Sequence, residues 1–149
     1  MVQHGEAAPE QENPDRPLTA QGRADVTRVA QAAARCAVRP DGIWHSDKLR
    51  ARQTAEILGA KLRPGGGVKL AAGLAPKDDP ALMAARVEGA EPLMLVGHLP
   101  HLSRLASLLL VGDPSKEVIT FRMGGMVCLD HAESGWRVKW IVTPEVLGG

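Results

Sequence analysis

The chain has 149 residues, of which 44% are hydrophobic and 23% charged. That suits one folded domain, residues 1–149, and excludes disordered, collagen-like and coiled-coil organisation. Lys plus Arg number 18 against 17 Asp plus Glu, a net charge of +1, so bulk charge draws the protein neither to nucleic acid nor to an acidic membrane. Aromatic residues are only 3%, too few for a stacking platform for single-stranded nucleic acid. The two cysteines, Cys36 and Cys128, form neither a disulfide framework nor a zinc signature, and read as small buried apolar residues. No apolar run approaches the about 18 residues of a membrane helix, and Met1–Glu6 lacks a signal-peptide pattern, so the cytoplasm is the expected location.

Ala7 to Arg16 is polar, holds Pro9 and Pro14, and reads as a loop. From Thr19 to Ala37, Gly22, Val26, Val29, Ala30, Ala33 and Ala37 recur at spacings of three and four, the stripe of an amphipathic helix. Thr19 is its expected N-cap, and Pro40 and Gly42 end the unit. Ile43–His45 reads as a short strand. Ser46 is expected to cap a helix over about 47–60. A glycine-rich turn at 63–67 precedes a weak strand at 68–71, and Asp79 or Pro80 opens a short helix to Val87.

Pro92–Gly97 is almost continuously apolar, the pattern of a strand buried on both faces in a parallel sheet. Pro100 suits the first turn of the next helix, with Leu102, Leu105, Ala106 and Leu109 on one face. Three strands are expected at the end, Val118–Phe121, Met126–Leu129 and Val138–Val142, with Gly124-Gly125 as a hairpin turn. Leu74, Met83 and Val146-Leu147 fit either the core or the surface. The alternation predicts a three-layer α/β/α sandwich around a mixed, mostly parallel sheet.

Ligands in such sheets bind beyond the carboxyl ends of the strands. Three strand-to-helix junctions carry functional groups there: Gln3-His4-Gly5-Glu6, Ser46 through Thr54, and Gly97-His98-Leu99-Pro100. Together they would bring two imidazoles and an arginine to one pocket. A helix N-terminus suits an anion. The guanidinium of Arg50, in a first helical turn, matches phosphate bidentately. One neutral imidazole can attack phosphorus, and a protonated second one can offset charge on the oxygens. Gly5 lets the chain turn sharply beside a ligand. The competing readings are hydrogen-bonded structural histidines, a metal site built from two His and a carboxylate, and a solvated helix face for Arg50 and Arg52.

At these residues the sequence resembles the histidine phosphatase superfamily, the phosphoglycerate-mutase-like proteins, and within it the SixA-type phosphohistidine phosphatases. Gln3-His4-Gly5-Glu6-Ala7 stands where the family has Arg-His-Gly. Arg16-Pro17-Leu18-Thr19 followed by Gly22 matches the SixA-type Arg-Pro-Leu-Thr segment. Ser46 to Thr54 matches Ser-x-x-x-Arg-Ala-x-Gln-Thr, and Gly97-His98-Leu99-Pro100 matches the second histidine motif.

The resemblance implies a metal-independent phosphatase without cofactors. His4 would be the transiently phosphorylated nucleophile, with Arg50 and His98 lining the phosphate pocket. Gln3, Gly5 and Ser46 would bind at the same place and Arg16 at its mouth, unless Arg16 pairs with Asp15 or Glu12. Ser46 also fits a plain helix cap. Glu6, Asp78 and Asp79 are candidate proton donors, or surface carboxylates. His45 and His101 are read as supporting or surface residues, and His131 as incidental.

The implied substrate is a phosphohistidine displayed on another protein domain, because the short chain leaves little material for a lid. The alternatives are a small phosphate ester or a catalytically weak phosphoprotein-binding module, the latter because Gln3 replaces the motif arginine. A neutral amide holds phosphate less strongly than a guanidinium. Only three residues precede His4, where the family's first strand is longer, so either this strand is stunted or the gene start is misassigned.

Overall fold

The computed structural model describes residues 1–148. Its elements in chain order are β1 (Val2–Gln3), α1 (Ala20–Arg35), β2 (Gly42–His45), α2 (Leu49–Leu62), β3 (Val68–Leu70), α3 (Pro80–Val87), β4 (Leu93–Gly97), α4 (His101–Val111), β5 (Met126–Ala132) and β6 (Gly135–Val142). A 3₁₀ turn follows at Glu145–Leu147. The six strands form one sheet in the order β3-β2-β4-β1-β5-β6. β3, β2, β4 and β1 run parallel, and β5 and β6 add an antiparallel edge.

Alternating side chains of β4 feed two cores. Met94 and Val96 join Val2, Ile43, Val26, Val29, Ala55 and Leu58 on the face covered by α1 and α2. Leu95 points the other way, to Leu74, Met83 and Leu105 beneath α3 and α4. The architecture is therefore the expected three-layer sandwich with a mixed, mostly parallel sheet. Leu74 and Met83 are core residues, Val146 is exposed, and Leu147 packs partly against the first core.

β1 is two residues long yet central, between β4 and β5. Its pairing continues at both ends: Val127 N–H donates to the Met1 carbonyl at 2.8 Å, and His4 N–H donates to the Gly97 carbonyl at 3.0 Å. The second of these bonds sets His4 beside His98.

Several expectations are corrected. Residues 118–121 form no strand. Both sides of β5 are taken, by β1 and β6, and the segment pairs with neither open edge strand, β3 or β6. It closes the core as a loop instead, with Ile119 and Phe121 packed on Leu102, Ala106 and Val127. Gly124-Gly125 is consequently not a hairpin turn. The hairpin lies between β5 and β6, where Ala132 pairs with Gly135.

Neither cysteine lies in the core: Cys36 is exposed at the C-cap of α1, and Cys128 is partly exposed on β5. Ser46 does not cap α2, whose N-cap position is Lys48 and has no side-chain cap bond. Thr19 does cap α1, accepting from Gly22 N–H at 2.9 Å.

Candidate functional site

The parallel strands β1, β4, β2 and β3 all end on one edge of the sheet. The residues just beyond the first three of them are His4, His98 and Ser46, and Arg50 follows in the first turn of α2. The connections 46–48 and 98–100 are only three residues each, so these side chains are set by the sheet itself.

The rings of His4 and His98 lie 5.1 Å apart, tilted by 52°. Both residues are buried. His4 Nδ1 lies 2.7 Å from the Gly5 carbonyl. A carbonyl can only accept, so Nδ1 carries the proton and Nε2 keeps its lone pair. Burial pushes the His4 pKa down to about 4; the Gly5 carbonyl opposes the shift, and the nearby Arg50 and Arg16 add to it. His98 is pushed to about 3 by burial first, then by His4, Arg50 and Lys48. Near neutral pH both rings are uncharged.

Ser46 Oγ and His98 Nε2 share a hydrogen bond of 2.6 Å, and Ser46 Oγ also accepts from Lys48 N–H at 3.3 Å. The backbone beneath Ser46 is held in turn by His45, whose Nδ1–H donates to the Ser46 carbonyl at 2.8 Å. His45 is thus buried support for the site.

Two of the cations at this edge, Arg16 and Arg50, are in no ion pair among the described residues. Among the described residues the ion pairs are Arg28–Asp25, Lys48–Asp47, Arg52–Glu56 and Arg137–Asp130. Arg16 and Arg50 have no carboxylate partner there, so Arg16 does not form the pair with Asp15 or Glu12 considered above. Arg16 Nε donates instead to the Ala8 carbonyl at 3.1 Å. Arg50 Nε is buried without a partner, and its pKa is lowered by burial and by Arg16. Two guanidiniums and a helix N-terminus beside two neutral imidazoles make a place for an oxyanion.

None of the candidate proton donors hydrogen-bonds either ring of the histidine pair among the described residues. Glu6 is exposed and accepts from Thr19 Oγ at 2.7 Å. Asp78 accepts from Ala75 N–H at 3.0 Å, and Asp79 caps α3 by accepting from Ala81 N–H at 3.0 Å. Asp78 lines a cavity of about 310 Å³ with Ser46, Asp47 and Ala72. His101 is fully buried with both ring nitrogens unpartnered. His131 is exposed and packs on Trp136. No cluster of three or more His, Cys, Asp or Glu that could hold a metal ion occurs among the described residues. No described helix is long and apolar enough to cross a membrane.

Two residues gain no role from sequence reasoning although they stand in its motif. Thr54, fully buried, accepts from Gly5 N–H at 3.0 Å and donates to the Arg50 carbonyl at 2.8 Å. It joins the His4 loop to the Arg50 turn. Gln53 accepts from Leu18 N–H at 2.8 Å and so anchors the Arg16 loop to α2. Their signal in the sequence is their spacing from Arg50, one helical turn on.

Gly5 serves close packing rather than a sharp turn. A Cβ there would lie 2.8 Å from Val26 Cγ2 and 3.0 Å from the Gly22 carbonyl oxygen, and a Cβ on Gly22 would overlap the Glu6 backbone. Gln3, on the other side of His4 in the chain, borders a cavity of about 460 Å³ whose walls include Glu6, Leu99, Phe121, Arg122 and Glu145.

The chain has recognisable relatives. A family model for the histidine phosphatase superfamily (branch 1) matches residues 1–75. An uncharacterized protein of Picosynechococcus is 38% identical over 107 residues, 68% of this chain and 64% of that protein. The chain thus spans just under two thirds of that relative's length. The protein histidine phosphatase SixA complexed with tungstate superposes with a TM-score of 0.85 at 25% identity, covering 98% of this chain and 96% of that one. A SixA protein of Agrobacterium tumefaciens gives a TM-score of 0.75 at 27% identity, covering 97% and 95%. The chain belongs to the histidine phosphatase superfamily, branch 1, and is of SixA type.

Proposed function

We propose that the protein is a phosphatase that removes the phosphoryl group from phosphohistidine on another protein, through a transient phosphohistidine at His4. The observation that carries this reading is the pair of neutral imidazoles 5.1 Å apart, next to Arg16 and Arg50, which have no carboxylate partner among the described residues. In the first step His4 Nε2 attacks phosphorus as the P–N bond to the substrate imidazole breaks, and that imidazole leaves carrying its own proton. In the second step water attacks phospho-His4, releasing inorganic phosphate and returning neutral His4.

Each neighbour has a part. The Gly5 carbonyl holds the His4 tautomer that leaves Nε2 free. Arg50, Arg16 and the N-terminus of α2 bind the phosphoryl oxygens. The approaching dianion favours protonation of His98, which Ser46 keeps in place. Neither step calls on a metal or cofactor.

No carboxylate hydrogen-bonds either ring among the described residues. A protonated imidazole is a good leaving group without help, whereas an alkoxide needs a general acid. This supports a phosphoramidate over an alkyl ester. The three-residue connections at the site's edge support a substrate presented on a protein. One of the similar structures is of a protein histidine phosphatase holding tungstate, a phosphate-like oxyanion.

The test compares phosphate release from a phosphohistidine-bearing protein domain by the wild type and His4→Ala, both in EDTA. His4→Ala is expected to lose activity about 10³-fold or more, and the wild type to trap acid-labile phosphate on His4. Equal, negligible release by both proteins would overturn the phosphohistidine reading and favour small esters or a binding module.

A further inference from the structure

Gln3 leaves the site short of a charge directly beside the nucleophile. Its side-chain Oε1 is buried with no partner, and the residue borders the cavity of about 460 Å³ described above. Arg122 and Met123 line the same cavity. They belong to a turn whose Gly125 N–H donates to the Arg122 carbonyl at 2.8 Å.

That turn is hung on the nucleophile's own backbone. Gly124 N–H donates to the carbonyls of Gln3 at 3.0 Å and His4 at 3.1 Å. Gly124 has a φ of +74°, a conformation open to glycine and strained for most other residues. Arg122 is therefore held two residues from a direct hydrogen bond to His4.

Arg122 is exposed and, among the described residues, in no ion pair. The carboxylates around it are largely engaged elsewhere. Asp25 accepts from Gln21 and Arg28, and Glu6 accepts from Thr19. Glu145 is near enough to feel the Arg122 charge without pairing to it.

We propose that Arg122 supplies the guanidinium contact to the substrate's phosphoryl oxygens that Gln3 cannot make. The site would then hold its anion with Arg16, Arg50 and Arg122. This rests on the function proposed above for the same site.

The experiment is a double-mutant cycle with two readouts, phosphohistidine turnover and tungstate affinity by calorimetry. Arg122→Ala is expected to lose about 10- to 100-fold in both, the size of one lost charge-assisted contact. Arg122→Lys should recover part of it. Gln3→Arg should make Arg122 dispensable, so that Gln3→Arg/Arg122→Ala lies within about threefold of Gln3→Arg alone, a non-additivity that marks a shared role.

Unchanged tungstate affinity in Arg122→Ala, or strictly additive effects of the two changes, would overturn the proposal. Circular dichroism separates misfolding from lost contact, and Arg122→Gln, which nearly keeps the length without the charge, must lose affinity like the alanine variant. The tungstate arm does not need turnover. It therefore judges Arg122 even where the phosphohistidine assay is negative, and His4→Ala judges the function separately.

Discussion

At the residue scale, the two buried imidazoles make the site sensitive to acid. An unfolded histidine titrates near 6.5, while His4 and His98 titrate at about 4 and about 3. Between these values the unfolded chain binds protons that the folded one does not, so stability falls as pH drops from 6.5 toward 4. Above 6.5 these groups add nothing further. The midpoint of thermal unfolding should decline through that window, and His98→Asn should make the decline shallower. An identical slope in the variant would mean other groups cause it. Ser46 offers a second check. Ser46→Ala removes the 2.6 Å bond to His98 and should lower kcat/KM by about tenfold, the worth of one ordinary hydrogen bond. A change confined to thermal stability would make Ser46 structural only.

At the scale of elements, the site depends on how closely α1 approaches the loop after β1. Gly5 and Gly22 face each other across that contact. Gly22→Ala would drive a methyl group into the Glu6 backbone and should cost about 3 kcal/mol, at the upper end of overpacking penalties, read from urea unfolding. Gly65→Ala is the control, because nothing lies within 4 Å of a Cβ there. The helix periodicity at Thr19–Ala37 already locates α1 and its cap, since both are local properties. Val118–Phe121 departs from its local pattern for the opposite reason. Those residues suit a strand by propensity, but both sides of β5, the strand that follows them, are taken by β1 and β6, and Ile119 and Phe121 are used instead to close the core over Leu102 and Ala106. Ser46 leaves its expected capping role on related grounds: its hydroxyl has a better partner in His98, 52 residues away, than in the helix that follows it.

For the whole molecule, the loop 118–125 ties the cluster of Ile119, Phe121, Leu102, Ala106 and Val127 to the nucleophile. Phe121 is buried among Leu102, Ala106 and Val127, and three residues later Gly124 holds Gln3 and His4. Phe121→Ala should destabilise by about 3 kcal/mol and also reduce activity at temperatures where the protein stays folded. Destabilisation with full activity would show that the turn is not needed to place His4. The sequence by itself determined the fold class, the three junctions and the candidates His4, Arg50 and His98, because hydrophobic period and motif spacing are written in neighbouring positions. Tertiary structure alone decided that Thr54 braces Gly5, that Ser46 holds His98, that Glu6 bonds Thr19, Asp78 bonds Ala75 and Asp79 bonds Ala81 rather than either imidazole, and that Arg122 shares a cavity with Gln3. Those are contacts between segments far apart in the chain. Their geometry comes from strand order and helix packing, which no local pattern encodes.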